Sequence, residues 1–269
     1  MRGAFAARRP RLTIGTAFSP GMAASASRSR LVVQPSNLRG YRGLTMDAFG
    51  TLLEGGPMML PRPLEHAAEV SASMSRPTLE EMWITTFRKH LQTEPYIAFR
   101  EIHRMSFEEL RDRLRLHTTV EEWVDETFDD YRNAKAYPEV PAVLRELEQD
   151  VPLAVVSNMD TTVLLRALQK NGLHFSFVIA SDEEQQYKPS SSMFSRAVRY
   201  LGLPPSHVLH VGDSYPEDVV GATSMGMGSL LMRRDAAHPN RKDQLSGSTR
   251  VVHDLTEVRD FLRRSWSEP

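Results

Sequence analysis

From Leu44 onward the chain alternates short apolar runs with stretches of helical period. Residues 44–46, 152–156 (PLAVV), 177–180 (FVIA), 208–211 (VLHV) and 229–232 (SLLM) are apolar on both faces and bounded by polar or turn residues. That pattern predicts strands buried in a parallel sheet. Between them, residues 141–150 place Val143, Leu144 and Leu147 on one side, and 161–171 group Leu164, Leu165 and Leu168 ahead of Gly172, a helix-ending residue. Residues 191–201 and 216–225 complete the set, with Pro216 suited to a first helical turn. Strand–helix–strand alternation predicts right-handed crossovers and a three-layer α/β core, a Rossmann-like parallel sheet covered by helices on both faces.

Residues 57–137 break this rhythm. They hold no strand-like run, and helical spacing groups Met82, Trp83, Phe87 and Leu91, then Phe107, Leu110 and Leu114, then Trp123, Val124, Thr127, Phe128 and Tyr131. An insert of about eighty residues is too large for a plain crossover. It predicts a helical subdomain at 57–137, with the α/β core made from 39–56 and 138–269. The aromatic stripes are expected to form the insert's own core.

Ligands of open parallel sheets bind at the carboxyl ends of the strands, so the polar residues there are the candidates for chemistry. In chain order they are Asp47 (D-A-F-G-T-L, with Gly50 and Thr51), Ser157 followed by Asn158, Lys188 in Y-K-P, and Asp213 in G-D-S-Y-P-E-D, with Asp218 five residues on. A strand-ending Asp before Gly is commonly a turn residue, and Ser157 alone would serve as a helix cap. Together they form a chemical set. A carboxylate can attack phosphorus or an activated carbon. Hydroxyl and amide groups at Thr51, Ser157 and Asn158 can hold the oxygens of the transferred group. A lysine offsets the shared negative charge, and carboxylates at two strand ends suit Mg2+.

Charge distribution narrows the partners. Residues 1–46 carry eight arginines and no acid, which leaves 25 basic against 34 acidic residues in the remainder, a formal charge of −9. So acidic a body disfavours nucleic acid. No apolar run approaches the length of a membrane span, and the absence of cysteine excludes disulfides, thiolate metal sites and a Cys nucleophile. The expected partner is a small molecule, and oligomeric state is left open. The basic, Ser- and Ala-rich segment 1–38 has the composition of an organelle transit peptide. Arginines close to the start favour the mitochondrion; Pro10, which interrupts an amphipathic helix, keeps a plastid address open, and a retained tail would leave the protein in the cytoplasm.

The ordered set Asp47, Ser157, Lys188, Asp213 and Asp218 resembles the haloacid dehalogenase superfamily over about residues 42–255, with segments 137–158 and 212–222 similar to one eukaryotic branch of it. The resemblance implies Asp47 as nucleophile, Ser157 and Lys188 as its catalytic partners, and Mg2+ held by Asp47, the backbone carbonyl of Phe49, Asp213 and Asp218. It makes the helical insert a cap that selects substrate. One position departs from the pattern. Phosphatases of this superfamily carry a second Asp two residues after the nucleophile, as proton donor and later base; here it is Phe49, which exchanges no proton. The superfamily's 2-haloacid dehalogenases also lack that Asp, but they replace the acidic fourth motif that Asp213 and Asp218 preserve. They hold substrate with a cap arginine, for which Arg76, Arg88, Arg100 and Arg104 are available. The expected activity is therefore phosphatase, with dehalogenase-like hydrolysis and a non-catalytic protein of this fold as alternatives.

Overall fold

Six parallel strands form the sheet of the computed structural model, which describes residues 40–71, 74–234 and 249–267. The expected leader at 1–38 lies outside the described residues. The strands are β1 (Gly43–Met46), β2 (Leu153–Ser157), β3 (Phe177–Ala180), β4 (Val208–Gly212), β5 (Gly228–Met232) and β6 (Val251–Val252). Their order is β3-β2-β1-β4-β5-β6, so the sheet reverses direction of winding between β1 and β4. Five strands lie where the apolar runs predict them. The sixth was not expected from sequence, because a two-residue strand carries no periodic signal.

The helices are α1 (Arg62–Ser71), α2 (Arg76–Leu91), α3 (Phe99–Leu114), α4 (Val120–Asn133), α5 (Val140–Asp150), α6 (Thr161–Lys170), α7 (Ser181–Glu184), α8 (Ser191–Leu201), α9 (Gly221–Ser224) and α10 (Leu255–Ser267). Each strand offers apolar side chains to both faces, which is why both are covered. Leu44, Met46, Val155, Leu209 and Val211 share a core with Leu147 of α5, Leu164 of α6 and Leu262 of α10. On the other face Ala154, Val156 and Ile179 meet Met193 and Ala197 of α8. The helix expected at 216–225 is corrected. Residues Tyr215–Val220 form a π-helical turn, and only Gly221–Ser224 is α-helical.

Helices α1 to α4 all lie between β1 and β2. Their interior is aromatic: Trp83, Phe87, Phe99, Phe107 and Phe128 are buried, with Trp83 and Phe107 stacked at 5.1 Å. The helix expected from residue 106 begins earlier, at Phe99, and α1 was not expected. The chain leaves and re-enters the sheet through two linkers that pair with each other. Glu54 N–H donates to Lys135 O at 2.7 Å, and Tyr137 N–H donates to Leu52 O at 3.1 Å. The Asn171 amide then clamps the returning strand, accepting from Ala136 N–H and donating to Ala134 O, both at 2.8 Å. Among the described residues no helix is long and apolar enough to cross a membrane.

Candidate active site

The register of β1 against β4 pairs Met46 with Val211, and the ladder runs one step further, with Asp47 N–H donating to Val211 O at 2.8 Å. Asp47 is therefore hung at the sheet edge where winding reverses, the position at which such sheets open a crevice. Asp213 stands beside it, just past the end of β4. Two glycines make the approach possible. Gly50 turns the chain with φ +85°, and a Cβ there would lie 2.6 Å from the Asp213 carboxylate. At Gly212 a Cβ would collide with the carboxylate of Asp218. The π turn after β4 buries Glu217 and Asp218, and Ser214 N–H donates to Asp218 Oδ2 at 2.9 Å. Such turns recur at functional sites because their extra residue redirects side chains.

Lys188 joins the two strand ends. Its Nζ donates to Asp47 Oδ1 and to Asp218 Oδ1, each at 2.6 Å, with 3% of the residue exposed. Burial works to discharge the ammonium, yet Asp218 and Asp47 outweigh it and raise the pKa. Burial also opposes charge on Asp218, but Lys188 and the hydrogen bond from His210 hold its carboxyl well below the usual range. Asp47 moves the other way. Burial, then the neighbouring Asp218 and Asp213, push its carboxyl up against the pull of Lys188. Asp47, Asp213 and Asp218 each offer an oxygen within 4.8 Å of the others. Three carboxylates gathered around one ammonium are a donor set that suits a divalent cation. Asp218 accepts from Lys188, His210 and Ser214, three of a carboxylate's roughly four acceptor sites, so it keeps capacity for a metal contact.

His210 completes this network and was not singled out by sequence reasoning. It is fully buried, its Nε2 lies 3.1 Å from Asp218 Oδ1 and its Nδ1 2.9 Å from Thr45 Oγ1. A carboxylate only accepts, so Nε2 carries the proton and Thr45 donates to Nδ1. The available signal was an imidazole inside an otherwise apolar strand, V-L-H-V-G. Arg233 and Arg234, directly after β5, were also missed although both line the cavity. Arg233 Nη1 donates to Asp213 O at 2.5 Å; Arg234 donates to Thr51 O, pairs with Glu139, and lies 4.1 Å over the Tyr137 ring.

A cavity of about 300 Å3 opens on this cluster and is lined by Asp47, Phe49, Ser157, Asn158, Lys188, Asp213 and Asp218 among others. The structure thus brings together all but one of the expected site residues. Thr51 does not line the cavity. Its hydroxyl is buried without a hydrogen-bond partner, because the turn at Gly50 folds it beneath the sheet edge while its carbonyl faces Arg234. Asn158 borders the cavity, but its side-chain oxygen accepts from Lys188 N–H at 2.7 Å and so positions the lysine segment. Of the four insert arginines, Arg76, Arg100 and Arg104 pair with acids of the insert, whereas Arg88 meets Glu217 of the core at 3.4 Å. Phe49 is buried, its ring edge-on to Tyr131 of α4 at 5.4 Å.

A family model of haloacid dehalogenase-like hydrolases matches residues 41–226, a span that holds β1 to β4, the insert and every carboxylate of the cluster. The chain belongs to the haloacid dehalogenase-like hydrolases. Within that family it is similar to haloacid dehalogenase-like hydrolase domain-containing protein 3 of Danio rerio, 43% identical over 84 residues that cover 30% of this chain and 34% of that protein. It is also similar to the glyceraldehyde 3-phosphate phosphatase of Methanothermobacter thermautotrophicus, 28% identical over 142 residues, or 49% of this chain and 63% of that one. The chain thus spans less than two-thirds of the length of these curated relatives. Among solved structures, the L-2-haloacid dehalogenase of Xanthobacter autotrophicus superposes with a TM-score of 0.64 at 19% identity, over 83% of this chain and 98% of that one. At that identity the likeness is one of fold.

Proposed function

We propose that this haloacid dehalogenase-like hydrolase is a magnesium-dependent phosphatase of small phosphorylated metabolites, acting through an aspartyl-phosphate at Asp47. The observation that carries the reading is the buried cluster in which Lys188 spans Asp47 and Asp218 while Asp213 stands within 4.8 Å. A phosphatase name among the relatives supports it. Asp47, Asp213 and Asp218, with the Phe49 carbonyl, would hold Mg2+. The ion would offset the repulsion between an anionic nucleophile and a phosphate dianion. Lys188 holds Asp47 in place and shares its charge. Ser157, at the end of β2, presents a hydroxyl to the transferred oxygens. Attack by Asp47 on phosphorus displaces the leaving oxygen, and water then cleaves the aspartyl-phosphate. Residues 57–137 act as the cap over a core formed from 39–56 and 138–269.

Phosphate release from a panel of phosphorylated metabolites, with and without Mg2+, tests this reading. Asp47→Asn is expected to abolish release. Thermal shift supplies a second readout. Mg2+ plus beryllofluoride is expected to stabilise the protein beyond either alone by mass action, and Asp213→Ala to remove that excess. The dehalogenase reading has one observation in its favour, Phe49 in place of an acid. Release of halide from 2-haloacids without Mg2+, and no phosphate release, would establish it instead.

A further inference from the structure

Beside the carboxylates, Lys188 and further polar residues such as Glu54, Ser157 and Glu217, the cavity lining holds an apolar and aromatic wall of Phe49, Met58, Met59, Phe99, Tyr137 and Met159. Phe49, Phe99 and Met159 are buried in the protein, and Phe99 also packs edge-on to Phe87 at 5.6 Å. One hydroxyl beside the Phe49 ring is that of Tyr131. It is occupied at 2.9 Å by His103 Nε2, and burial raises its pKa further, so it supplies no proton to the cavity. The arginines at the mouth are engaged as well, Arg233 with the Asp213 carbonyl and Arg234 with Thr51 and Glu139.

Resting on the phosphatase reading, we propose that the substrate is the monophosphate of a phenol-like hydroxyl, whose ring lies against this wall and whose oxygen departs as the phenolate. Two independent features select the same class. A sugar or glycerol phosphate laid against this wall would press its hydroxyls on Phe and Met side chains, and each buried unpartnered hydroxyl is costly. An aromatic ring instead gains ring–ring and sulfur–ring contacts. The second feature is Phe49, which provides no acid. A phenol ionises near ~10, whereas water ionises near ~15.7, so phenolate leaves unaided far more readily than an alkoxide. In the step itself, an Asp47 oxygen bonds to phosphorus and the phosphorus–aryl oxygen bond breaks with its electron pair on that oxygen. The phenolate takes a proton from bulk water. A second water then bonds to phosphorus and yields its proton to bulk solvent, which makes good the one taken by the phenolate; the bond to Asp47 breaks, and phosphate is released with the carboxylate restored. The sum is aryl phosphate plus water to phenol plus phosphate.

Glu54 and Glu217 line the cavity and are rival proton donors; Glu217 faces Arg88 at 3.4 Å through Oε1 and has an unpartnered Oε2, and Glu54→Gln is to be measured alongside Glu217→Gln. The experiment measures kcat/KM of the full chain with Mg2+ for a series of substituted phenyl phosphates, glycerol phosphate and ribose 5-phosphate. Phenyl phosphate is expected to exceed the two alkyl phosphates by at least about 100-fold, the low end of what a positioned acid contributes where one is needed. Rates are expected to fall steeply as the leaving phenol becomes more basic, and equally steeply in Glu54→Gln and Glu217→Gln. Phe49→Asp is expected to raise alkyl phosphate turnover at least tenfold and flatten that slope. Asp47→Asn, which turns nothing over, is expected to bind naphthyl phosphate at least tenfold more tightly than ribose 5-phosphate, a readout independent of activity. Alkyl phosphates cleaved as fast as phenyl phosphate, or equal affinities in Asp47→Asn, would overturn the aryl assignment and leave the phosphatase reading intact. No phosphate release from any ester would overturn the phosphatase reading itself.

Discussion

At the sheet edge Lys188 holds Asp47 and Asp218 at 2.6 Å with almost no contact with solvent. In the insert the charged groups pair at the surface, Arg104 with Glu108 and Arg62 with Asp130, while the interior is built from rings around one imidazole, His103. Buried charge needs a fixed backbone to hold each partner in place, and a parallel sheet supplies it. Both regions reach the cavity, the core with its charged cluster and with Phe49 and Met159, the insert with Met58, Met59 and Phe99.

The largest effect is expected at the sheet edge. Lys188→Met leaves Asp47 and Asp218 buried without their common partner, and breaking a buried pair in this way costs about 3–5 kcal/mol. Urea denaturation without added divalent cation measures it. A second substitution, Asp47→Asn, should recover part of the loss, since the two residues are in contact. A loss below about 1 kcal/mol would mean that the sheet edge does not depend on its charge pairing, and the contrast with the insert would fail.

The insert's own sensitivity is to acid. His103 Nδ1–H donates to Phe99 O and its Nε2 accepts from Tyr131, both at 2.9 Å, so the ring is neutral. Burial pushes its pKa down to about 4 from the ordinary 6.5. Above pH 6.5 folded and unfolded chains are both neutral there, and stability is unaffected. As pH falls from 6.5 towards 4 the unfolded chain takes up a proton that the folded protein refuses, so stability is lost through that window and levels off below it. The full loss is about 3 kcal/mol at ~1.36 kcal/mol per pH unit. Urea midpoints of His103→Gln across pH 7 to 4.5 should fall less than those of the parent protein. Equal slopes would remove His103 as the cause.

The smallest effect is expected at the insert's surface. Glu108→Gln breaks an exposed i,i+4 pair with Arg104 and should cost less than about 0.5 kcal/mol, readable by thermal unfolding. A cost of more than about 1 kcal/mol would mean that surface pairing also stabilises the insert.

Much of the sheet edge was legible because parallel strands are apolar on both faces and end in polar residues, so Asp47, Ser157 and Asp213 stood out at the ends of recognisable runs, whereas Lys188 lies beyond β3 and α7. Thr51 falls outside the cavity lining, one residue past the turn that Gly50 makes at φ +85°. Asn158 borders the cavity, and its hydrogen bond to Lys188 N–H joins residues 30 apart and leaves no trace in local pattern. His210 was passed over since a single imidazole in a strand more often reads as core.

The sequence by itself determined the alternation of strands and helices, the insertion of an aromatic helical segment after β1, and the absence of an acid two residues beyond Asp47, since each is a property of residue type and spacing. Only the tertiary structure decided that Phe49 meets Tyr131, that His210 lies beneath Asp218 against Thr45, and that Arg88 reaches Glu217. Those contacts join the loop after β1 to α4, β4 to β1 and α2 to the π turn. They exist because the strand register and the paired linkers at Leu52–Glu54 and Lys135–Tyr137 bring distant segments to the same few ångströms, which no local period encodes.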